Sequence, residues 1–248
     1  MAVSTSGRPE EGGKMLRIEH LTKTYGDTRA VDDLSLHIAP GEIYGFIGHN
    51  GAGKTSTIKA ATGILKFTDG EIYVDGVSMK LDPITCKKNI AYIPDNPDLY
   101  EYMTGLQYLN FIADIFGVSS GVRKERTEKY AAAFEIQNDL TSGINSYSHG
   151  MKQKLAVISA LIHDPKLIIM DEPFVGLDPK AAFTLKEIMR EHCEKGGAIF
   201  FSTHVLDVAE KLCDKIAIIK SGKLIKCGTM EEVRGDESLE NVFLELEG

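Results

Sequence analysis

An α/β fold interrupted by a helical insertion is what this sequence predicts, and three observations predict it. Short apolar segments with strand character alternate with helical patterns along most of the chain. One of them, "EIYGFIG" (42–48), runs almost continuously apolar into a glycine-rich loop, as a buried parallel strand does. Between about Pro97 and Ser148 strand character is absent, and helical spacing replaces it.

The elements follow in order. "LRIEHL" (16–21) and "LSLHI" (34–38) alternate apolar and polar, as strands of a half-exposed sheet do. After the 42–48 strand, "STIKAATGIL" (56–65) reads as a helix. "EIYVDG" (71–76) reads as a strand ending in a turn, and "NIAYIP" (89–94) as a second buried strand. "GLQYLNFIADIFG" and "KERTEKYAAAFEIQ" have helical spacing. So has the segment from residue 149, where Met151, Leu155, Ile158 and Ile162 fall at i, i+4, i+7 and i+11. Sheet patterning resumes in "KLIIMDEP" (166–173), "GAIFFSTH" (197–204) and "KIAIIKSGKLIKCG" (215–228). This divides the chain into a flexible N-terminal segment (1–14), an α/β core (15–96 and 164–234), a helical subdomain (97–163) and a C-terminal tail (235–248). Met15 marks the expected start of ordered structure.

Composition excludes several classes. Among 248 residues, 28 Lys and Arg stand against 36 Asp and Glu, a net charge of -8 that argues against broad phosphate-driven binding to nucleic acid. The longest apolar run, "LAVISALI" (155–162), falls well short of the ~20 residues that span a bilayer. No hydrophobic stretch near the N-terminus suggests a secretory signal. Cys86, Cys193, Cys213 and Cys227 lack paired metal-type spacing and read as reduced cysteines of a cytosolic protein.

Two motifs carry chemistry. "GHNGAGKT" (48–55) fits G-x-x-x-x-G-K-[ST], between a predicted strand and a predicted helix as that motif requires. Gly48, Gly51 and Gly53 let the backbone curl with its N–H groups inward, where a side chain would block a phosphate. Lys54 can reach β- and γ-phosphates and Thr55 can ligand Mg²⁺; His49, Asn50, Ala52 and Ser56 complete the expected nucleotide-binding stretch. "LIIMDE" (167–172) delivers two carboxylates at the C-terminal end of a buried strand, where α/β sheets bind ligands. Asp171 would hold Mg²⁺ and Glu172 would polarise an attacking water.

With "YSHGMKQK", "MDEP", "GLDP" and "STH" following "GHNGAGKT" in this order, the chain from about Leu16 resembles the ATP-binding subunit of an ABC transporter. "FIGHNGAGKTST", "YSHGMKQK" and "SLENVFLEL" are most similar to bacterial exporter subunits of the bacitracin and multidrug type. The resemblance implies an ABC-type P-loop NTPase fold: a mixed sheet flanked by helices, an antiparallel β part and the helical insertion. It also implies ATP and Mg²⁺ as ligands, and hydrolysis within a homodimer or a heterodimer with a similar subunit. Each ATP would lie between one subunit's phosphate loop and the other's Ser148 and Gly150. On the same basis Tyr25 would stack on adenine, His204 would sit near the γ-phosphate, and Gly176, Leu177 and Asp178 would cross to the opposite subunit. A simple helix-start turn is the other reading of "GLDP". A separate permease would hold the subunit on the inner face of the membrane; nucleic acid is not an expected partner. Export is the expected direction, from the branch resemblance and from the lack of a large regulatory domain after the core. A soluble ABC ATPase acting on ribosomes or DNA, and a weakly hydrolysing nucleotide-gated module, are the rival readings.

The chain departs from the family pattern in two places. Tyr147, His149 and Met151 replace three of the five usual signature residues, leaving Ser148 and Gly150; His149 is read either as a donor near the partner's nucleotide or, by preference, as pointing to solvent. Asp95 stands where a glutamine is common, and is read either as a water-bridged metal contact or as an aspartate shaping the Pro-Asp-Asn-Pro turn.

Overall fold

The computed structural model describes residues 13–247. The segment expected to be flexible lies, for residues 1–12, outside the described residues. Met15 is buried and its N–H donates to Ile38 O at 2.7 Å.

Strands β1 (Leu16–Tyr25), β2 (Thr28–Ile38), β4 (Asp69–Val74) and β5 (Val77–Ser78) form an antiparallel sheet in the order β2-β1-β4-β5. The first two are longer than their alternating segments. Register shifts between Ile18 and Leu21 and again toward Thr24 break the period of two that marks a strand in sequence. His20 and Asp33 take positive φ there, with their side chains 2.7 Å apart. A bulged strand hides half its length from a periodicity argument.

The second sheet has the order β10-β9-β3-β8-β7-β6, comprising β3 (Ile43–Ile47), β6 (Ile90–Ile93), β7 (Leu167–Asp171), β8 (Ala198–Thr203), β9 (Lys215–Lys220) and β10 (Lys223–Thr229). All neighbours pair in parallel except the β9–β10 hairpin. Its two turn residues, Ser221 and Gly222, both have positive φ, the conformation whose twist suits a tight hairpin. Every residue of β3, β7 and β8 is buried, because the sheet is covered on both faces. Alternation sorts the two cores. Tyr44, Phe46, Ile169 and Phe200 face the antiparallel sheet, together with Ile58 of α1 (Lys54–Ala61). Ile43, Ile47, Ile168, Met170, Ile199 and Phe201 face the helices on the other side.

Those helices include α3 (Gly105–Ile115), α4 (Ser120–Ala133), α5 (His149–Leu161), α6 (Pro179–Glu194) and α7 (Leu206–Leu212). Described residues 97–148 carry α3, α4 and one 3-10 turn, with no strand beyond an isolated bridge between Thr104 and Gly143. Thr104 starts α3 through a capping box with Gln107, which satisfies backbone donors at that end. Helix α5 carries the buried Leu155 and Ile158 into the same core as Leu109, Ala131 and Phe134. Helix α2 (Pro83–Lys88), capped by Asp82 with proline in its first turn, is an addition to the expected elements.

Two expectations are corrected. The helix placed at 56–65 runs instead from Lys54 to Ala61, because the phosphate loop launches it two residues early and Gly63, at φ 68, ends it. The 235–248 segment is not simply a tail: after α8 (Met230–Arg234) it folds as α9 (Leu239–Glu247). Leu239, Val242 and Phe243 are buried and Leu246 packs alongside, an i, i+3, i+4, i+7 stripe that joins the main core.

Candidate functional site

β3 ends at Ile47 and the chain turns at once into the loop 48–53. A Cβ on Gly48 would lie 2.5 Å from Ile219 O, and one on Gly53, where φ is 110, 2.4 Å from Ala30 O. Only glycine fits where strand β9 and the end of β1–β2 press on the loop this closely. The loop delivers Lys54 into the interior, 5% exposed, where Nζ donates to Gly48 O at 2.6 Å and His49 O at 3.2 Å. The cation thus sits inside the curl of its own loop, at the place a phosphate group would share.

β7 and β8 bring the acids. Asp171 is buried at the end of β7, accepting from Thr55 Oγ1 at 2.7 Å and from the Ser202 hydroxyl of β8. Glu172 follows in a strained turn with φ 47, a conformation that costs a non-glycine residue about 1–2 kcal/mol. Its N–H donates to Ser202 O at 3.2 Å and Ser202 Oγ at 3.1 Å, which holds that turn in place. The Glu172 carboxylate points back over the loop. Oε1 lies 3.6 Å from Lys54 Nζ, while Oε2 accepts from the His204 N–H at 3.3 Å. His204 Nδ1 is 3.0 Å from Oε1, a charge contact when the imidazole is protonated, but not aligned as a hydrogen bond. That buried oxygen therefore has no hydrogen-bond partner among the described residues. An orphaned carboxylate oxygen beside a phosphate loop is a place for a water to bind and lose a proton.

A cavity of about 210 Å³ joins these groups, lined by Ala30, His49, Asn50, Gly51, Gly53, Lys54, Thr55, Ser56, Asp95, Asp171 and Glu172. Asp95 Oδ1 accepts from Asn96 N at 2.9 Å, shaping the turn, and the residue also borders the cavity. For Mg²⁺ the donor set fits. Thr55 Oγ1 and the Asp171 carboxylate are hard oxygens already in contact, and Mg²⁺ binds through one or two carboxylates plus phosphate and water.

Three expected residues lie elsewhere. Tyr25 ends β1 with 48% of its surface exposed and Lys23 Nζ 4.5 Å from its ring centroid, outside the cavity lining. Ser148 caps α5 by accepting from Met151 N at 3.3 Å, and neither it nor Gly150 borders the cavity. Gly150 packs on the segment after Glu172, since a Cβ there would lie 2.8 Å from Gly176 O. His149 is exposed, as expected, yet its ring also covers Gly176, where a Cβ would meet Cδ2 at 2.3 Å. Asp178 does start a helix, capping α6 by accepting from Ala181 N at 2.8 Å, and its Oδ2 pairs with Lys154 Nζ at 2.8 Å. The Lys154 ammonium, followed by the Ala181 N–H, holds that carboxyl below its ordinary range. Ser202 is a site residue that the sequence reading does not single out; its signal is a buried hydroxyl, with Thr203, at the end of an apolar strand. Ala30 touches the loop through backbone alone and left no signal.

A buried lysine curled into a glycine loop, a threonine on an aspartate and a glutamate following that aspartate at the end of β7 define a P-loop nucleotide-binding protein of the α/β class. Comparison with known proteins makes the class specific. A family model described as ABC transporter matches residues 31–175. An uncharacterized ABC transporter ATP-binding protein of Bacillus subtilis, YhcH, is 34% identical over 234 residues, 94% of this chain and 75% of its own length. The bacitracin transport ATP-binding protein BcrA of Enterococcus faecalis is 34% identical over 213 residues, 86% of this chain and 68% of its own. Among solved structures, the ATP-binding subunit of an ABC transporter superposes with a TM-score of 0.91 at 34% identity, covering 94% of this chain and 100% of that one. CbiO1 of Clostridium perfringens, part of the transporter complex cbiONQ, gives 0.77 at 26% identity, covering 95% and 96%. The chain belongs to the ABC transporter family, as an ATP-binding subunit and an ATPase. Among its described residues no helix is long and apolar enough to cross a membrane.

Proposed function

We propose that this subunit binds ATP at residues 48–56, pairs head to tail with a second ATPase subunit, and drives a separate permease in export. One observation carries the pairing: the cavity at the phosphate loop gathers Lys54, Thr55, Asp171 and Glu172, whereas Ser148 and Gly150 open a helix outside it. The first turn of α5, beyond the Met151 N–H that Ser148 caps, offers backbone N–H groups and about half a positive charge at an exposed end, where an anion can bind. A second copy supplies the complement. Tyr25, exposed at the end of β1, takes the adenine.

Within the closed site, Glu172 accepts a proton from water through Oε1, which lacks a hydrogen-bond partner among the described residues, and the water attacks in line. Lys54 turns its ammonium from the Gly48 and His49 carbonyls to the phosphates. His204 steadies the carboxylate through its backbone N–H. Thr55, Asp171 and, through water, Asp95 would hold Mg²⁺, which neutralises charge on the phosphate oxygens. Similarity to a bacitracin transport ATP-binding protein supports a transport role, and export at the membrane's inner face follows from the branch resemblance of the sequence. The test mixes Ser148→Ala chains with Glu172→Gln chains. A shared interface leaves one of the two sites in each mixed dimer with both defects and the other with neither, so the mixture should exceed the activity of either variant alone; activity no higher than the average of the two variants refutes the pairing.

A further inference from the structure

The phosphate loop is supported from a direction its motif does not reveal. The His49 ring lies against the Phe243 ring of α9, with centroids 4.9 Å apart and planes tilted by 59°. Phe243 is itself buried and Leu239 wholly so, which roots α9 in the main core. Lys220 Nζ, at the end of β9, donates to Leu246 O at 3.1 Å. Beside the loop a cavity of about 180 Å³ is lined by His49, Asn50, Gly51, Ala52, Lys220 and Ser221. At its other end α9 is tied to α7: Leu239 N donates to Glu210 Oε2 at 3.4 Å, and Arg234 pairs with the same carboxylate at 2.8 Å. Helix α7 opens just after His204. One short helix therefore touches both the loop that curls around Lys54 and the helix that follows the histidine beside Glu172.

We propose that α9 is a positioning element of the nucleotide site, with Phe243 acting through His49 to hold the phosphate loop in its binding shape. The loop needs such a hold. Gly51 and Gly53, at φ 84 and 110, are its most permissive residues, and ordering glycine backbone on binding is entropically costly. His49 lies between that soft segment and the end of a buried strand, and its carbonyl is one of the two that cradle Lys54 Nζ. A ring fastened to the core at this residue fixes the carbonyl and restricts the loop before ligand arrives, so less ordering remains to oppose binding. Phe243 does not line the cavity at the phosphate loop; it works through the histidine. This inference rests on residues 48–56 being the nucleotide site.

Equilibrium binding of Mg-ADP to the full chain tests it, with the thermal midpoint recorded for every variant. Lys54→Ala is the control for the site. If it binds like wild type, the phosphate-loop reading fails and the brace with it. With that control behaving, Phe243→Leu keeps apolar bulk in the core while removing the ring. It should weaken Mg-ADP binding about two- to tenfold, the range of an aromatic pair, with little change in midpoint. His49→Ala should weaken binding by a similar factor, His49→Phe should restore it, and the double variant His49→Ala/Phe243→Leu should bind no worse than His49→Ala alone. Unchanged affinity in Phe243→Leu, or multiplying effects in the double variant, overturns the proposal. Should Phe243→Leu fail to fold, the comparison of His49→Ala with His49→Phe decides, and equal affinities overturn it.

Discussion

Replacing Glu172 by glutamine removes one charge and almost no volume. The Lys54 ammonium lies 3.6 Å from Oε1, with both side chains largely buried, at 6% and 15% exposure. At an effective dielectric near 20 that separation gives a gross attraction of about 4–5 kcal/mol, much of it offset by desolvation of the pair. The lysine does not swing free when it is lost, because Gly48 O at 2.6 Å and His49 O at 3.2 Å still hold it. The turn also survives: it is fixed by the backbone of residue 172 on Ser202, which glutamine reproduces. ATP affinity and thermal midpoint should therefore stay close to wild type. Hydrolysis should not, since the amide cannot accept the proton from water; a fall of about 10²- to 10⁴-fold is expected, equivalent to roughly 2.7–5.5 kcal/mol of barrier. Phosphate release at saturating Mg-ATP, beside equilibrium ATP binding, reads both quantities. Turnover within threefold of wild type would remove Glu172 from the chemistry. Lost turnover together with a midpoint lower by many degrees would assign the residue to the strained turn instead.

Asp95→Ala should raise the Mg²⁺ concentration needed for half-maximal ATPase activity while leaving the maximal rate within a few-fold; an unchanged Mg²⁺ dependence would make Asp95 a turn residue alone. His163 supplies a pH prediction. Burial against Phe116, with ring centroids 3.7 Å apart, pushes its pKa down from 6.5, outweighing its Nε2 contact with Ile90 O at 3.2 Å, while Arg126 lowers it further and Asp164 raises it. Its Nδ1 is buried without a hydrogen-bond partner among the described residues. The unfolded chain then binds the proton more readily, so the stability linked to this group is complete above pH 6.5 and is lost as pH falls from there through the folded value. His163→Phe should flatten that part of a stability profile taken by urea denaturation between pH 7 and 5; an unaltered slope would contradict it.

The sequence by itself determined the parts that depend on short-range chemistry. A strand feeding glycines, lysine and threonine needs no distant information, because the loop's own backbone makes the cradle. The same holds for Asp171 and Glu172 at the end of an apolar strand, and for Ser148 capping α5. Buried β3, β7 and β8 were legible as well, since a sheet covered on both faces demands continuous apolar runs. The bulged strands were legible only over 16–21 and 34–38, because a displaced residue inverts the alternation on which that reading relies. Tertiary structure alone decided what meets across the chain: Ser202 on Asp171, Ala30 O against Gly53, the His149 ring over Gly176, and Phe243 beneath His49. These contacts join residues far apart in sequence through strand order and helix packing, and no local propensity or spacing encodes which of many apolar or polar side chains will be the neighbour.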